Sequence, residues 1–409
     1  MENGLVREDG IQITEYELKG KLPDIFEFEA GGRVESIDDW KRRRREIYKA
    51  AVDLQYGTMP PAPDRVDVDI LYIGNGNPST YRITAWRGDR SLNFDMTVFK
   101  ASVNKKCPTV VDGDLCFQYA FDKEFIKAFL DNGISLALFN RTALFPDIAE
   151  YNADCTIPQT NEYNDTRDAV RTFESGQRLG ALAQLYPEYT FGATGAWAWG
   201  YSRCVDALEY LGFADMDCIA FTGHSRGGKT AMLAGAIDER ATIVNPNETC
   251  AGGCSCYRLK IKAIDENGKD GVSETLEPLV KVFPSWMGKE MVEYVGREEE
   301  LPFDSHYLKA LIAPRILFVS EAASDIWANP VGSWQTTMGA YEVFKFLGVP
   351  ENLYWYFRSG YHYHKIEDVL QLVNVIRHYR YGEPLNDKYF KTPFRKPELA
   401  FDWKAPNAK

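Results

Sequence analysis

A serine between two glycines is the part of the sequence whose residue types and spacing suggest chemistry most directly. Ser225 lies between Gly223 and Gly227, after the apolar run 218–221 and before a segment of helical composition. A Gly-x-Ser-x-Gly nucleophile elbow needs this order of strand, sharp turn and helix, because the turn then presents the hydroxyl beside free backbone N–H groups. A glycine-rich turn with a capping serine is the alternative interpretation. The context favours a serine nucleophile.

Such a nucleophile needs a base within hydrogen-bonding distance and an acid that orients the base. His362 and His364 follow a strand-like apolar run late in the chain, where the chain order of serine, acid and histidine places the base. The other two histidines beyond the serine, His306 and His378, are interpreted as a packed residue and a surface helix residue. The spacing therefore places the base in the loop that contains His362 and His364.

Two carboxylates compete for the role of the acid. Asp325 follows the predicted strand 316–320, which is the usual position of the acid in this arrangement. Glu248 follows an earlier strand-like run, 241–244. Capping of a loop is the structural alternative for each of them. Spacing favours Asp325 and leaves Glu248 as the alternative.

Longer segments of the sequence resemble the glucuronoyl esterases of carbohydrate esterase family 15. The resemblance is carried by Gly-His-Ser-Arg-Gly-Gly-Lys at 223–229, by Asn-Pro-Asn-Glu at 245–248 and by a late Gly-x-His-x-His motif. Leu-Pro-Phe-Asp-Ser-His at 301–306 and Ala-Trp-Ala-Trp-Gly at 196–200 also fit. It extends over about residues 36–385.

This resemblance implies an α/β-hydrolase and assigns a catalytic triad. The nucleophile would be Ser225 and the base His364. The acid would be Glu248, because the family's Pro-x-Glu motif matches residues 246–248. The resemblance thus favours Glu248 where spacing alone favours Asp325.

The resemblance also implies residues that contact the substrate. Arg226 would stabilise the oxyanion, Lys229 would contact sugar hydroxyls, and Trp327 would form an aromatic wall of the uronate pocket. Two cysteines that form a disulfide in fungal members are replaced here by His224 and Lys365, which fits a bacterial-type member or a reducing compartment. The family's Gln and Glu that hold the uronate ring have no clear counterparts in the segment 265–281.

The pattern of apolar runs predicts an α/β fold, a three-layer αβα sandwich with a mostly parallel central sheet. Alternating segments at 66–73, 80–86 and 93–100 predict an antiparallel entry to that sheet. We expect an N-terminal arm over 1–35, one catalytic domain over 36–385 and a C-terminal tail over 386–409. Within the domain, the polar insertion 142–190 is expected near the active site.

Composition excludes several classes of partner. The net charge of −12 in 409 residues provides no excess of cations for nucleic acid or an anionic membrane. No run reaches the roughly 20 apolar residues of a membrane span, and no signal peptide opens the chain, so a cytoplasmic protein is expected, or the mature form of a secreted one. The cluster Cys250, Cys254 and Cys256 lacks a second pair of zinc ligands, which favours packed thiols over structural zinc.

The sequence therefore predicts a serine esterase that acts on a carbohydrate, most directly on esters of a glucuronic acid carboxyl group, with no metal or organic cofactor. The alternative enzyme is a deacetylase of xylan-type sugars. It would use the same triad, but in its substrate the sugar is the alcohol part of the ester and acetate is the acyl part. A catalytically inactive carbohydrate-binding relative is the alternative of another class. The sequence does not define the sugar, the alcohol or the oligomeric state.

Overall fold

The computed structural model describes residues 12–147, 180–265, 267–385, 387–392 and 397–407. The strands of this part of the chain are β1 (Gln12–Leu18), β2 (Arg65–Ile73), β3 (Ser79–Arg87), β4 (Arg90–Phe99), β5 (Cys107–Asp112), β6 (Ser135–Phe139), β7 (Ala214–His224), β8 (Ile243–Asn247), β9 (Leu259–Ile264), β10 (Asp270–Val272), β11 (Ile316–Ala322) and β12 (Leu353–Arg358).

The α-helices within the described ranges are α1 (Ile37–Tyr48), α2 (Lys123–Asp131), α3 (Ala181–Leu185), α4 (Ala193–Leu211), α5 (Arg226–Ile237), α6 (Leu276–Val282), α7 (Ser305–Ala310), α8 (Pro330–Phe346) and α9 (Ile366–Tyr381). A π-helical turn, Lys49–Leu54, continues α1. That helix begins as its sequence predicts, since the Ser36 hydroxyl accepts the Asp39 N–H and caps the first turn.

A nine-stranded sheet forms the centre of the molecule, in the order β12-β11-β8-β7-β5-β6-β4-β3-β2. Strands β5, β6, β7, β8, β11 and β12 pair in parallel, whereas β2, β3 and β4 enter antiparallel. Two clusters of buried apolar side chains occupy the two faces of the sheet. The predicted fold class is confirmed, and the carboxyl ends of the parallel strands provide one edge at which a site can form.

The segments outside the main sheet are partly ordered against it. Strand β1 pairs with β9 in a small three-stranded sheet, so part of the predicted N-terminal arm is built into the fold. The Trp403 indole donates to the Leu22 carbonyl at 3.0 Å, which ties the C-terminal segment to the N-terminal one. Most of the predicted insertion, residues 148–179, lies outside the described residues.

The histidine of α7 predicts how stability depends on pH. His306 is fully buried, its Nε2 lies 3.0 Å from the Pro23 carbonyl, and burial lowers its pKa to about 3. Between pH 6.5 and about 3 the unfolded chain binds a proton at this residue and the native chain does not, so stability falls as the pH falls. The contribution is about 1.4 kcal/mol per pH unit.

We expect the His306→Gln variant to lose this acid sensitivity. Glutamine keeps a donor for the Pro23 carbonyl but does not titrate, so the difference in unfolding free energy between variant and wild type should shift by about 2 kcal/mol in the variant's favour between pH 7 and pH 5. Urea unfolding at the two pH values measures it. An unchanged difference would show that His306 is protonated in the folded protein.

Candidate active site

The turn between β7 and α5 has the backbone conformation of a nucleophile elbow. Ser225 adopts φ 58° and ψ −120°, a conformation that non-glycine residues rarely adopt and that is characteristic of strained functional positions. A Cβ at Gly223 would collide with the Gly227 carbonyl, and one at Gly227 would collide with the Asp114 carboxylate. Gly223 is therefore required by a close approach of the backbone, and Gly227 by the Asp114 side chain packed against it.

His362 connects this serine to a carboxylate. Its Nε2 lies 2.9 Å from the Ser225 hydroxyl, and its Nδ1 lies 2.5 Å from Asp325 Oδ2. The imidazole side chain is 34% exposed, so substrate and water have access to it, while the Asp325 side chain is 3% exposed. These contacts are those of a serine, histidine and aspartate triad.

The structure brings His362, and not the predicted base His364, to the serine. The ring of His364 stacks on His224 at 5.3 Å and packs edge-on against Tyr119 at 5.1 Å. Burial lowers its pKa to about 3, so it stays neutral. The side chains of His362 and His364 have different surroundings because the chain turns tightly at His362. The Tyr363 N–H there donates to the Tyr361 carbonyl at 2.9 Å.

Both candidate acids lie beside His362, but at different distances. Glu248 Oε2 is 3.6 Å from the Nδ1 that Asp325 contacts at 2.5 Å. Glu248 is fully buried, and its other carboxylate oxygen is paired with Arg358. Burial, reinforced by the charge of Asp325, raises the pKa of Glu248 well above its usual range, although Arg358 opposes the shift. The geometry thus favours Asp325, the residue that spacing favoured, over Glu248.

Arg226, the residue after the serine, is held by three side chains. Its guanidinium donates to Asp147 at 2.9 Å and lies over the rings of Phe283 and Trp286 at 5.1 and 4.8 Å. The Trp286 indole donates to the same carboxylate at 3.0 Å. Arg226 is also the first residue of α5, so its backbone N–H occupies the position that forms an oxyanion hole in nucleophile elbows. Asp147 was not singled out in the sequence, since no local motif surrounds it.

Lys229 is not free to contact a sugar in this structure. Its side chain is 4% exposed, and its ammonium donates to the Thr249 and Ala251 carbonyls and, at 3.1 Å, to Glu274. The Glu274 N–H in turn donates to the carbonyl of the half-buried Trp327 at 2.9 Å. Lys229 therefore anchors Glu274 beside Trp327. Glu274 lies in the segment where sequence reasoning found no counterpart of a ring-holding glutamate.

The third histidine of this region, His224, packs between the other two. Its backbone N–H donates to Asp114 at 2.9 Å, and its ring Nδ1 lies 2.6 Å from Asn247 Oδ1. The centre of its ring is 4.8 Å from that of His362. Among the described residues, His224, Glu248 and His362 are the group whose ligand atoms, within 4.8 Å of one another, could hold a metal ion. Both ring nitrogens of His362 are directed to Ser225 and Asp325 instead, an arrangement suited to proton transfer.

The three clustered cysteines lie in the core. Cys250, Cys254 and Cys256 are at most 3% exposed, and burial raises the pKa of each thiol. The Cys256 thiol donates to Asp304 Oδ2 at 3.4 Å. They are packed as neutral thiols, as their sequence context favours.

No helix in the described part of the chain is long and apolar enough to span a bilayer.

A serine on a strand-to-helix elbow, with its histidine and aspartate on later loops at the carboxyl edge of a parallel sheet, defines an α/β-hydrolase of the serine esterase class. The family model described as "Glucuronyl esterase, fungi" matches residues 134–348. This chain belongs to the glucuronyl esterase family.

Individual relatives agree with this assignment. The 4-O-methyl-glucuronoyl methylesterase of Hypocrea jecorina is 29% identical over 400 residues, covering 94% of this chain and 76% of that protein. The enzyme of the same name from Cerrena unicolor is 30% identical over 336 residues, covering 81% and 63%. The structure of a carbohydrate esterase family 15 glucuronoyl esterase from Caldicellulosiruptor kristjansonii superimposes with a TM-score of 0.78 at 27% identity, covering 95% of this chain and 98% of that one.

Proposed function

We propose that this chain hydrolyses esters of a glucuronic acid carboxyl group, with Ser225 as nucleophile, His362 as base and Asp325 as acid. The contact that carries the proposal is the continuous hydrogen-bonded line from the Ser225 hydroxyl through His362 to Asp325. Relatives named 4-O-methyl-glucuronoyl methylesterases support the uronate as the acyl part. The absence of the fungal cysteine pair at positions 224 and 365 supports assignment to a bacterial-type branch.

In this reaction His362 carries each proton that is transferred. His362 Nε2 accepts the Ser225 proton while Oγ bonds to the ester carbon, and the negative charge moves to the carbonyl oxygen. The Arg226 N–H and guanidinium stabilise that oxygen. When the ester C–O bond breaks, His362 returns the proton to the departing alcohol. Water, deprotonated by the same nitrogen, then attacks the uronoyl carbon. The bond to Ser225 Oγ breaks, His362 returns the proton to that oxygen, and the uronic acid is released.

The sugar would lie beside Trp327, which follows the acid Asp325 by two residues. Trp327 is half-buried and offers an aromatic surface, and the Lys229–Glu274 pair lies beside it. Aromatic faces and buried polar groups together are the usual components of a carbohydrate pocket. We therefore assign Trp327 to the pocket wall and Lys229 to the support of Glu274.

The function is tested by offering the purified protein two substrates, benzyl glucuronate and acetylated xylo-oligosaccharides, and measuring the release of benzyl alcohol and acetate. We expect hydrolysis of the glucuronate and little acetate. Preferential release of acetate would make the protein a carbohydrate deacetylase. If neither product formed and a fluorophosphonate did not label Ser225, the inactive carbohydrate-binding alternative would be supported.

Replacing Asp325 should lower turnover more than replacing Glu248, because Asp325 is closer to His362. Asp325→Asn removes the carboxylate that orients His362, so turnover should fall by about 10³-fold or more. Glu248→Gln should cost about tenfold, since Glu248 stands 3.6 Å from the imidazole. Turnover of benzyl glucuronate by each isosteric variant measures this. A larger loss for Glu248→Gln would return the acid role to Glu248.

Arg226→Lys should lower turnover by about 10²-fold, because lysine keeps the charge but loses the planar donors that face the oxyanion and Asp147. Arg203→Lys is the matched control: Arg203 also lies over a tryptophan, Trp199, at 4.5 Å and pairs with a carboxylate, Asp206, at 2.6 Å. The control should retain turnover. Equal activity of the two variants would reduce Arg226 to a packing residue.

A further inference from the structure

The loop that carries His362 is folded around a buried arginine. Arg358, the last residue of β12, is 2% exposed. Its guanidinium donates to the carbonyls of Ser359 at 3.0 Å and Tyr361 at 3.1 Å, and also to the carbonyl of Tyr363. These carbonyls belong to alternate residues on both sides of His362. One cation thus holds both sides of the turn that projects the imidazole.

The same guanidinium reaches two carboxylates from different parts of the fold. Its Nε lies 2.9 and 3.0 Å from the oxygens of Asp368 in the first turn of α9, and one terminal nitrogen pairs with Glu248 after β8. Asp368 also accepts the Lys365 N–H at 2.9 Å and so fixes the far end of the loop. Arg358 therefore joins the loop to both elements that flank it.

Arg358 also connects to the loop of Asp325 through its backbone. The Ala323 N–H donates to the Arg358 carbonyl at 2.7 Å, and the Ser324 N–H donates to the Gly360 carbonyl at 2.9 Å. These two hydrogen bonds hold the loop of His362 and the loop of Asp325 against each other. A shift of about 1 Å between such groups is enough to cost a large part of a catalytic rate.

We propose that Arg358 is a positioning residue of this esterase: it sets the His362 loop so that the imidazole meets Ser225 and Asp325, and it holds Glu248 with one oxygen facing the imidazole. It touches no substrate, because its guanidinium is fully enclosed by Glu248, Asp368 and the loop carbonyls. Only arginine offers donors in a planar fork wide enough for these acceptors. The proposal rests on the triad described under the proposed function.

The chain provides a matched control at Arg258. That residue is also 2% exposed, pairs with Asp304 at 3.0 Å and donates to backbone carbonyls, including that of Phe303 at 2.7 Å. It is a buried arginine in a similar cage that contacts no residue of the triad. Arg258→Lys should therefore lower stability in the way Arg358→Lys does, without disturbing His362.

The experiment compares Arg358→Lys with Arg258→Lys below the melting temperature of both. Two quantities are measured: the rate at which a fluorophosphonate labels Ser225, and kcat and KM for benzyl glucuronate. For Arg358→Lys we expect labelling and kcat to fall about tenfold or more with KM within about twofold. Arg258→Lys should retain both rates. Equal labelling rates in the two variants would overturn the proposal.

A second variant covers the case in which Arg358→Lys does not fold. Asp368→Asn keeps the guanidinium and an acceptor for the Lys365 N–H, but weakens the contact to Nε. A labelling rate reduced at unchanged KM supports the proposal, and an unchanged rate overturns it. Labelling needs no uronate, so a wild type that is labelled but does not hydrolyse glucuronate would refute the proposed substrate alone.

Discussion

Ser225→Ala should abolish ester hydrolysis, with a fall in turnover of about 10⁵-fold or more. The hydroxyl is the atom placed to attack, and its hydrogen bond to His362 at 2.9 Å is the route by which it loses its proton. Alanine keeps the Cβ and the positive φ of the elbow, so the fold should be unchanged. Turnover of benzyl glucuronate together with the melting temperature measures both effects.

Ser305→Ala is the control for the loss of a buried hydroxyl. Its Oγ donates to the Ser255 carbonyl at 2.7 Å and contacts no triad residue. We expect this variant to lose some stability and to keep its turnover. Substantial activity of Ser225→Ala would remove the serine from its role, whatever the control does.

Two histidines separated by one residue should give opposite results. His362→Ala should lower turnover about as much as removing the serine, because members of one catalytic unit are not additive. His364→Phe should keep turnover within about fivefold of wild type, since a similar ring can pack against Tyr119 and His224. The two variants are compared by kcat on benzyl glucuronate. Loss of activity in His364→Phe alone would restore the base that family resemblance had indicated.

The features that the sequence predicted are those that local sterics require. Gly223 and Gly227 must be glycine because a side chain at either would collide with its surroundings, so the elbow is visible as a short motif. The central strands are continuous apolar runs because both faces of the sheet are covered. Hence the fold and the elbow at Ser225 could be predicted from short segments of the sequence.

The parts that the sequence did not predict depend on contacts between distant residues. The choice between His362 and His364 is made by a tight turn, and no residue preference in Gly-Tyr-His-Tyr-His specifies it. Asp147 meets Arg226 across 79 positions, and Glu274 meets Lys229 across 45. Pairs of that kind become visible only when the strands are placed side by side.

A crystal structure of Ser225→Ala with methyl 4-O-methyl-glucuronate would locate the ester relative to residue 225, His362 and Arg226. We predict that the ester carbon lies about 3–3.5 Å from the position of the missing hydroxyl. Its carbonyl oxygen should face Arg226, and the sugar ring should lie beside Trp327 and Glu274. A uronate bound with its ester group turned away from residue 225, out of reach of His362, would show that Ser225 and His362 do not form the site of ester cleavage.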